Sequence, residues 1–198
     1  MLTKLNRFII NASISWKMFL LVVAGQAATM GVMMGYVNQQ FPAESGGNLP
    51  FDMQNDLTVE QIFSQLESYT DKAFELYTIF QIADYVFPVV AGLVLAIICA
   101  FGLRNTSEKF YTVAIEKNLF IYILIPTLFD WLENLSLLCV VVGWPEKMSN
   151  AATIAVIAKQ GKLGTLNISF AVAGILLITG LIGWTRNQTR KRTEDFQP

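Results

Sequence analysis

Residues 76–103 read LYTIFQIADYVFPVVAGLVLAIICAFGL, 28 positions with a single charged side chain, Asp84. An α-helix needs about 20 mostly apolar residues to cross a hydrocarbon core about 30 Å thick, so this stretch is read as a transmembrane helix. Three more stretches meet the same requirement, at 16–37, 119–144 and 163–184. Working outward, 54% of the 198 residues are hydrophobic and 15% charged, with mean hydropathy +0.47. That balance is too apolar for a water-soluble globule. The expected fold is therefore all-α: a four-transmembrane-helix bundle forming one membrane domain over 1–198, an integral multi-pass protein whose first partner is the lipid bilayer.

Charge partition sets the expected orientation. Lys4, Arg7 and Lys17 precede or open the first span, Arg104, Lys109 and Lys117 join the second to the third, and Arg186, Arg190, Lys191 and Arg192 follow the fourth. Ten of the fourteen basic residues thus fall on one side, which the positive-inside rule makes cytoplasmic for both termini. Trp16, Trp144 and Trp184 sit at span ends, where indole rings favour the interface. The first span, with roughly 20 apolar residues, exceeds a signal-peptide core of about 7–15 and is read as a retained helix.

Between the first two spans, residues 38–75 read as an outer loop followed by an amphipathic helix. Phe41-Pro42 and Ser45-Gly46-Gly47-Asn48 mark irregular chain over 38–57. Thr58 and Gln61 have capping-box spacing, and Val59, Ile62, Phe63, Leu66 and Tyr69 recur at helical intervals. Pro145 ends the third span, and a second short outer helix is expected over 150–161, interrupted at Lys159, Gly161 and Lys162 before the fourth span. The basic tail 185–198 suits anionic inner-leaflet lipid, and Phe196-Gln197-Pro198 carries no lipidation signal. Ala27, Gly31 and Gly35 recur every four residues on the first span, a small-residue face of the kind that packs inside a bundle or against another subunit.

The candidate site lies in the spans themselves. Asp84 stands in Ala83-Asp84-Tyr85-Val86-Phe87-Pro88, and Asp130, Glu133 and Asn134 in Phe129-Asp130-Trp131-Leu132-Glu133-Asn134. An acid at a membrane-helix centre costs about 2.5–3.5 kcal/mol on insertion, so three of them require partners. Positions 130, 133 and 134 project from one helix face. At about 1.5 Å per residue, Asp84 lies roughly 12 Å inward from Leu76 and Glu133 roughly 16 Å inward from Trp144, near the midplane. Pro88 and Pro126 should free the carbonyls of Asp84 and Tyr122. Close carboxylates in a low dielectric cannot all stay ionised without counter-charge, so they share protons or hold a cation. Lys162 is the chain's own candidate counter-ion and Lys159 a weaker one; Tyr85, Tyr122, Thr127 and Ser136 are candidate hydrogen-bond donors.

This order of features resembles a group of small, uncharacterised four-span membrane proteins over about residues 58–180. The resemblance rests on the Asp84-to-Pro88 helix, the Phe-Asp-x-x-Glu-Asn helix and the lysine at the head of the fourth span. It implies a fold and a site but no reaction. The chain lacks the paired loop cysteines of claudins, the Cys-rich loop of tetraspanins and the histidines of membrane desaturases. Without histidine, imidazole catalysis and His-based metal sites are excluded. A net charge of -1 gives no nucleic-acid footprint. No cofactor is expected, Cys99 and Cys139 fall among aliphatic residues of the spans and read as small hydrophobes, and no nucleophile motif argues for catalysis.

Three readings stand. The first is an intramembrane acidic site binding a cation or a polar lipid or substrate group through Asp84, Asp130, Glu133, Asn134, Lys162 and Tyr85, any metal being held by Asp84, Asp130 and Glu133. The second is a non-catalytic subunit of a larger complex or a homo-oligomer, assembled through the Gly31 and Gly35 face. The third is a small proton- or cation-conducting transporter or channel subunit.

Overall fold

The computed structural model describes residues 2–194, with side chains described through residue 190. Within the basic tail, the side chains of Lys191 and Arg192 and the terminal Phe196-Gln197-Pro198 lie outside the described residues. All regular structure in the described residues is helical. In chain order come α1 (Leu2–Ile14), α2 (Trp16–Met30), a π-helical segment (Gly31–Val37), α3 (Asn38–Glu44), a 3-10 turn (Phe51–Met53) and α4 (Val59–Leu66). Then follow α5 (Asp71–Thr106), α6 (Glu108–Glu116), a 3-10 segment (Leu119–Leu124), α7 (Ile125–Gly143) and α8 (Ser149–Glu194). Four helical stretches are long and apolar enough to cross a membrane: Trp16–Glu44, Asp71–Thr106, Leu119–Gly143 and Ser149–Arg190.

Several boundaries differ from the sequence reading, each for a physical reason. The first span does not stop at residue 37. Its helix runs on to Glu44 with Pro42 inside it, because Pro42 forfeits only the bond to the carbonyl four residues back while Phe41 is fully buried against the rings of Tyr69 and Tyr77, 5.3 Å and 6.2 Å away. The irregular chain therefore begins at Ser45, where Gly46 and Gly47 take φ of 68° and 88°, a conformation that favours glycine. The separate outer helix at 150–161 is not separate. α8 passes through Gly161 without a break; a Cβ there would stand 2.7 Å from the Phe129 ring, so the glycine makes room for an aromatic neighbour. Residues 2–14 form a further helix, α1, ahead of the first span.

The chain divides into two compact units. The first comprises Met1–Val23, Gly92–Ile125 and Leu166–Pro198, with a core that includes Ile9, Val22, Ile97, Ala100, Phe120 and Ala173. Here α5 and α8 meet backbone to backbone. A Cβ on Gly102 would run into the Leu176 carbonyl, one on Gly180 into Gly102, and one on Gly183 into the Asn105 carbonyl. Thr106 bonds across to Thr179 at 3.2 Å. This is small-residue packing of the kind expected of Gly31 and Gly35, supplied by other glycines.

The second unit comprises Ala24–Ala91 and Pro126–Thr165. Thr58 closes the capping box that the spacing predicts: its Oγ1 accepts from the Gln61 N–H while the Gln61 side chain accepts from the Thr58 N–H. The box fixes where α4 starts and so turns Ile62, Phe63 and Leu66 inward. They join Val37, Phe41, Phe51, Leu76, Tyr77, Phe80, Leu137 and Val140 in one core. Ala27, Gly31 and Gly35 stand outside it. All three are exposed, and nothing lies within 4 Å of a Cβ built on either glycine, so this face does not pack inside the unit.

Candidate functional site

Proline chemistry positions α5 against α7. Pro88 lacks an N–H, so the Asp84 carbonyl loses its helical donor, and α7 supplies replacements along this stretch. Asn134 Nδ2 donates to the Asp84 carbonyl at 3.4 Å, the Trp131 indole N–H to the Tyr85 carbonyl at 3.0 Å and the Thr127 hydroxyl to the Pro88 carbonyl at 2.9 Å. Pro126 acts differently from expectation. It is the second residue of α7, where a missing N–H costs nothing, and the Tyr122 carbonyl accepts from the Ile125 N–H rather than standing free.

That pairing brings the predicted acids together. Asn134, fully buried, donates through Nδ2 to Asp84 Oδ2 at 2.9 Å and to Asp130 Oδ2 at 3.2 Å. One amide thus bridges carboxylates from two helices. On the other side of Asp130 lies α8. Lys162 Nζ is 2.8 Å from Asp130 Oδ1 and 2.5 Å from Glu133 Oε2, and Lys159 Nζ is 2.8 Å from Glu133 Oε1. Glu133 is fully buried and held between two ammonium groups. The i, i+3 spacing of Lys159 and Lys162 places both on one face of α8, so the continuity of that helix through Gly161 is what makes the double clamp possible.

Two groups join the cluster that sequence reasoning valued less or missed. Lys159, the weaker candidate, is 4% exposed and also donates to the carbonyls of Phe51 and Gln54 at 2.8 Å and 2.9 Å. The second is Asp52, in the 3-10 turn Phe51–Met53. Its side chain is 4% exposed, 3.7 Å from Lys162 Nζ, with neither oxygen accepting a hydrogen bond. Burial pushes the Asp52 carboxyl well above its usual range, and the negative charges of Asp84 and Glu133 push it further, against the pull of Lys162 and Lys159. The signal for Asp52 was its setting, a lone acid between Phe51 and Met53. Tyr85 takes part through its backbone carbonyl alone; no hydrogen bond within the cluster uses its hydroxyl. Ser136 donates to its own helix, to the Leu132 carbonyl.

Four carboxylates therefore face two ammoniums. The buried oxygens left without a donor include Asn134 Oδ1, Gln81 Oε1 and both Asp52 oxygens. Gln81 donates to the Tyr77 hydroxyl at 3.2 Å, and Tyr77 lies within electrostatic reach of Asp52 and Asp84. Nearby, the buried Tyr69 hydroxyl also lacks a partner, and burial holds its phenol above the usual range. A space of about 10 Å³ beside Glu133 and Lys159, walled by Phe51, Leu57, Ile62 and Leu137, has the size of one water. Among the described residues no group of three His, Cys, Asp or Glu has the arrangement of a metal site; the ground between Asp130 and Glu133 is taken by Lys162. Comparison of the chain with family models, curated proteins and solved structures gives no match.

Proposed function

We propose that this is a multi-pass membrane protein with both termini cytoplasmic, and that its buried ionic cluster is a cation site whose cation is the proton. The observation that carries the reading is the surplus of acceptors: four carboxylates against two lysines, with orphaned oxygens on Asp52, Asn134 and Gln81. What such a site lacks is a donor. Protons on two of the four carboxyls balance the charge and supply donors at once, whereas the water-sized space beside Glu133 leaves no room for a lipid headgroup.

Helix lengths support a depth nearer the outer boundary than the midplane. Nineteen uncharged positions of α5 separate Asp84 from Arg104, about 30 Å of helix, and Lys162 stands about 33 Å from Trp184 along α8. Each distance is about one hydrocarbon thickness. The chain over 38–70, with α4, and the first turns of α8 then form the outer layer, and Asp52 is the member of the cluster that this layer contributes. A proton arriving from the outer side meets Asp52 first, then Glu133, Asp130 and Asp84.

The test is an infrared titration of the protein in nanodiscs, following the C=O stretch of protonated carboxyls. A protonated-carboxyl band persisting at neutral pH, reduced in both Asp52→Asn and Asp84→Asn, is the expected result. Absence of that band, together with saturable binding of sodium, potassium or calcium, would show that another cation balances the cluster. Proton flux in proteoliposomes then separates a relay from a static proton store.

A second reading is favoured by the uncovered Ala27, Gly31 and Gly35 face, which fits a homo-oligomer or a membrane-complex subunit. Gly31→Leu with Gly35→Leu should lower the oligomer mass in detergent while leaving the monomer folded.

A further inference from the structure

The first compact unit contains a cavity of about 410 Å³ that the acidic cluster does not use. It is walled by apolar side chains, among them Phe19, Ile97, Phe101 and Leu177, with Trp16 and Trp184 also lining it. One charged residue, Arg104, enters the lining. A guanidinium has five N–H donors. One nitrogen of Arg104 donates to the Ser13 carbonyl at 3.2 Å, and the group stands 5.9 Å from the Phe101 ring centre. Among the described residues, no carboxylate forms a salt bridge with it.

Trp184 also lines a second cavity, of about 330 Å³, whose other walls are Asn105, Asn187, Gln188 and Arg190. An apolar chamber with a cation in its lining thus adjoins a polar one across a shared indole. The ligand that matches both halves has a hydrocarbon chain and an anionic head. We propose that this pocket binds an anionic phospholipid, one acyl chain lying against Ile97, Phe101 and Leu177 and the phosphate accepting from Arg104. Charge complementarity decides the occupant: bidentate pairing of guanidinium with phosphate is a strong charge-assisted contact, and a zwitterionic lipid brings an ammonium that the Arg104 guanidinium in the lining does not favour. The indoles at the mouth suit the interfacial position such a lipid takes.

Native mass spectrometry of the full chain in detergent tests this, with added phosphatidylglycerol, phosphatidylcholine or inorganic phosphate. Phosphatidylglycerol should be retained over phosphatidylcholine, with no phosphate adduct. Arg104→Gln should lower phosphatidylglycerol retention about tenfold, the scale of one hydrogen bond to a charged group, and leave phosphatidylcholine unchanged. Because Arg104 also braces Ser13, a second variant keeps the cation and fills the cavity: Leu177→Trp should abolish retention of phosphatidylglycerol. Equal retention of the two lipids, unchanged retention in both variants, or a phosphate adduct without lipid would each overturn the assignment.

Discussion

Replacing Lys162 by Met tests the geometry of the cluster most directly. The ammonium it removes lies 2.8 Å from Asp130, 2.5 Å from Glu133 and 3.7 Å from Asp52, and the side chain is only 13% exposed. Solvent cannot screen the charges left behind. Removing one partner of a buried ion pair typically costs about 3–5 kcal/mol, because the other charge stays buried and uncompensated. Spread over a chain of this length, at about 2–4 °C per kcal/mol, this becomes a fall in Tm of roughly 6–20 °C. The assay is thermal unfolding in detergent followed by tryptophan emission, for which Trp131, bonded to the Tyr85 carbonyl, is a local reporter. A second substitution, Asp130→Asn, should restore part of the stability, giving a coupling of about 0.5–3 kcal/mol in a double-mutant cycle. A fall in Tm under about 2 °C with no coupling would refute the reasoning, for it would mean that Lys162 is solvated and the carboxylates are balanced some other way.

Asp52 gives a pH signature. Its carboxyl is held above the unfolded value, so between the two the folded protein keeps a proton that the unfolded chain has lost, and stability falls as pH rises through that window. Asp52→Asn should flatten that part of the stability-versus-pH curve, and an unchanged slope would place the proton elsewhere. Gly102→Ala drives a methyl into the Leu176 backbone and should lower Tm by the equivalent of about 1–3 kcal/mol, whereas Gly31→Ala meets open space and should leave monomer stability nearly unchanged; equal effects would contradict the α5–α8 contact. Thr127→Val keeps the shape but removes the donor to the Pro88 carbonyl, and unfolding measurements should find a loss of about 1 kcal/mol, which a neutral result would exclude.

Residue composition alone determined the class of this protein. Four long apolar runs leave backbone polar groups no partner in lipid except their own helix, so the helical content and the four candidate spans follow from the chain whatever surrounds it. The capping box at Thr58 and Gln61 was equally local, as was the shared face of Asp130, Glu133 and Asn134, because helical periodicity fixes both. Partnership was not local. That Lys162 pairs with Asp130 and Glu133, that Lys159 completes the clamp, and that Asp52 turns inward from a loop depend on which helices lie side by side. The same holds for the glycines. Spacing singled out Gly31 and Gly35, yet the close approach belongs to Gly102, Gly180 and Gly183, because a missing Cβ permits contact but only a neighbouring backbone uses it. Gly161 reads as a helix breaker in isolation and is instead the gap into which Phe129 fits, a role decided by the side chain that arrives from another helix.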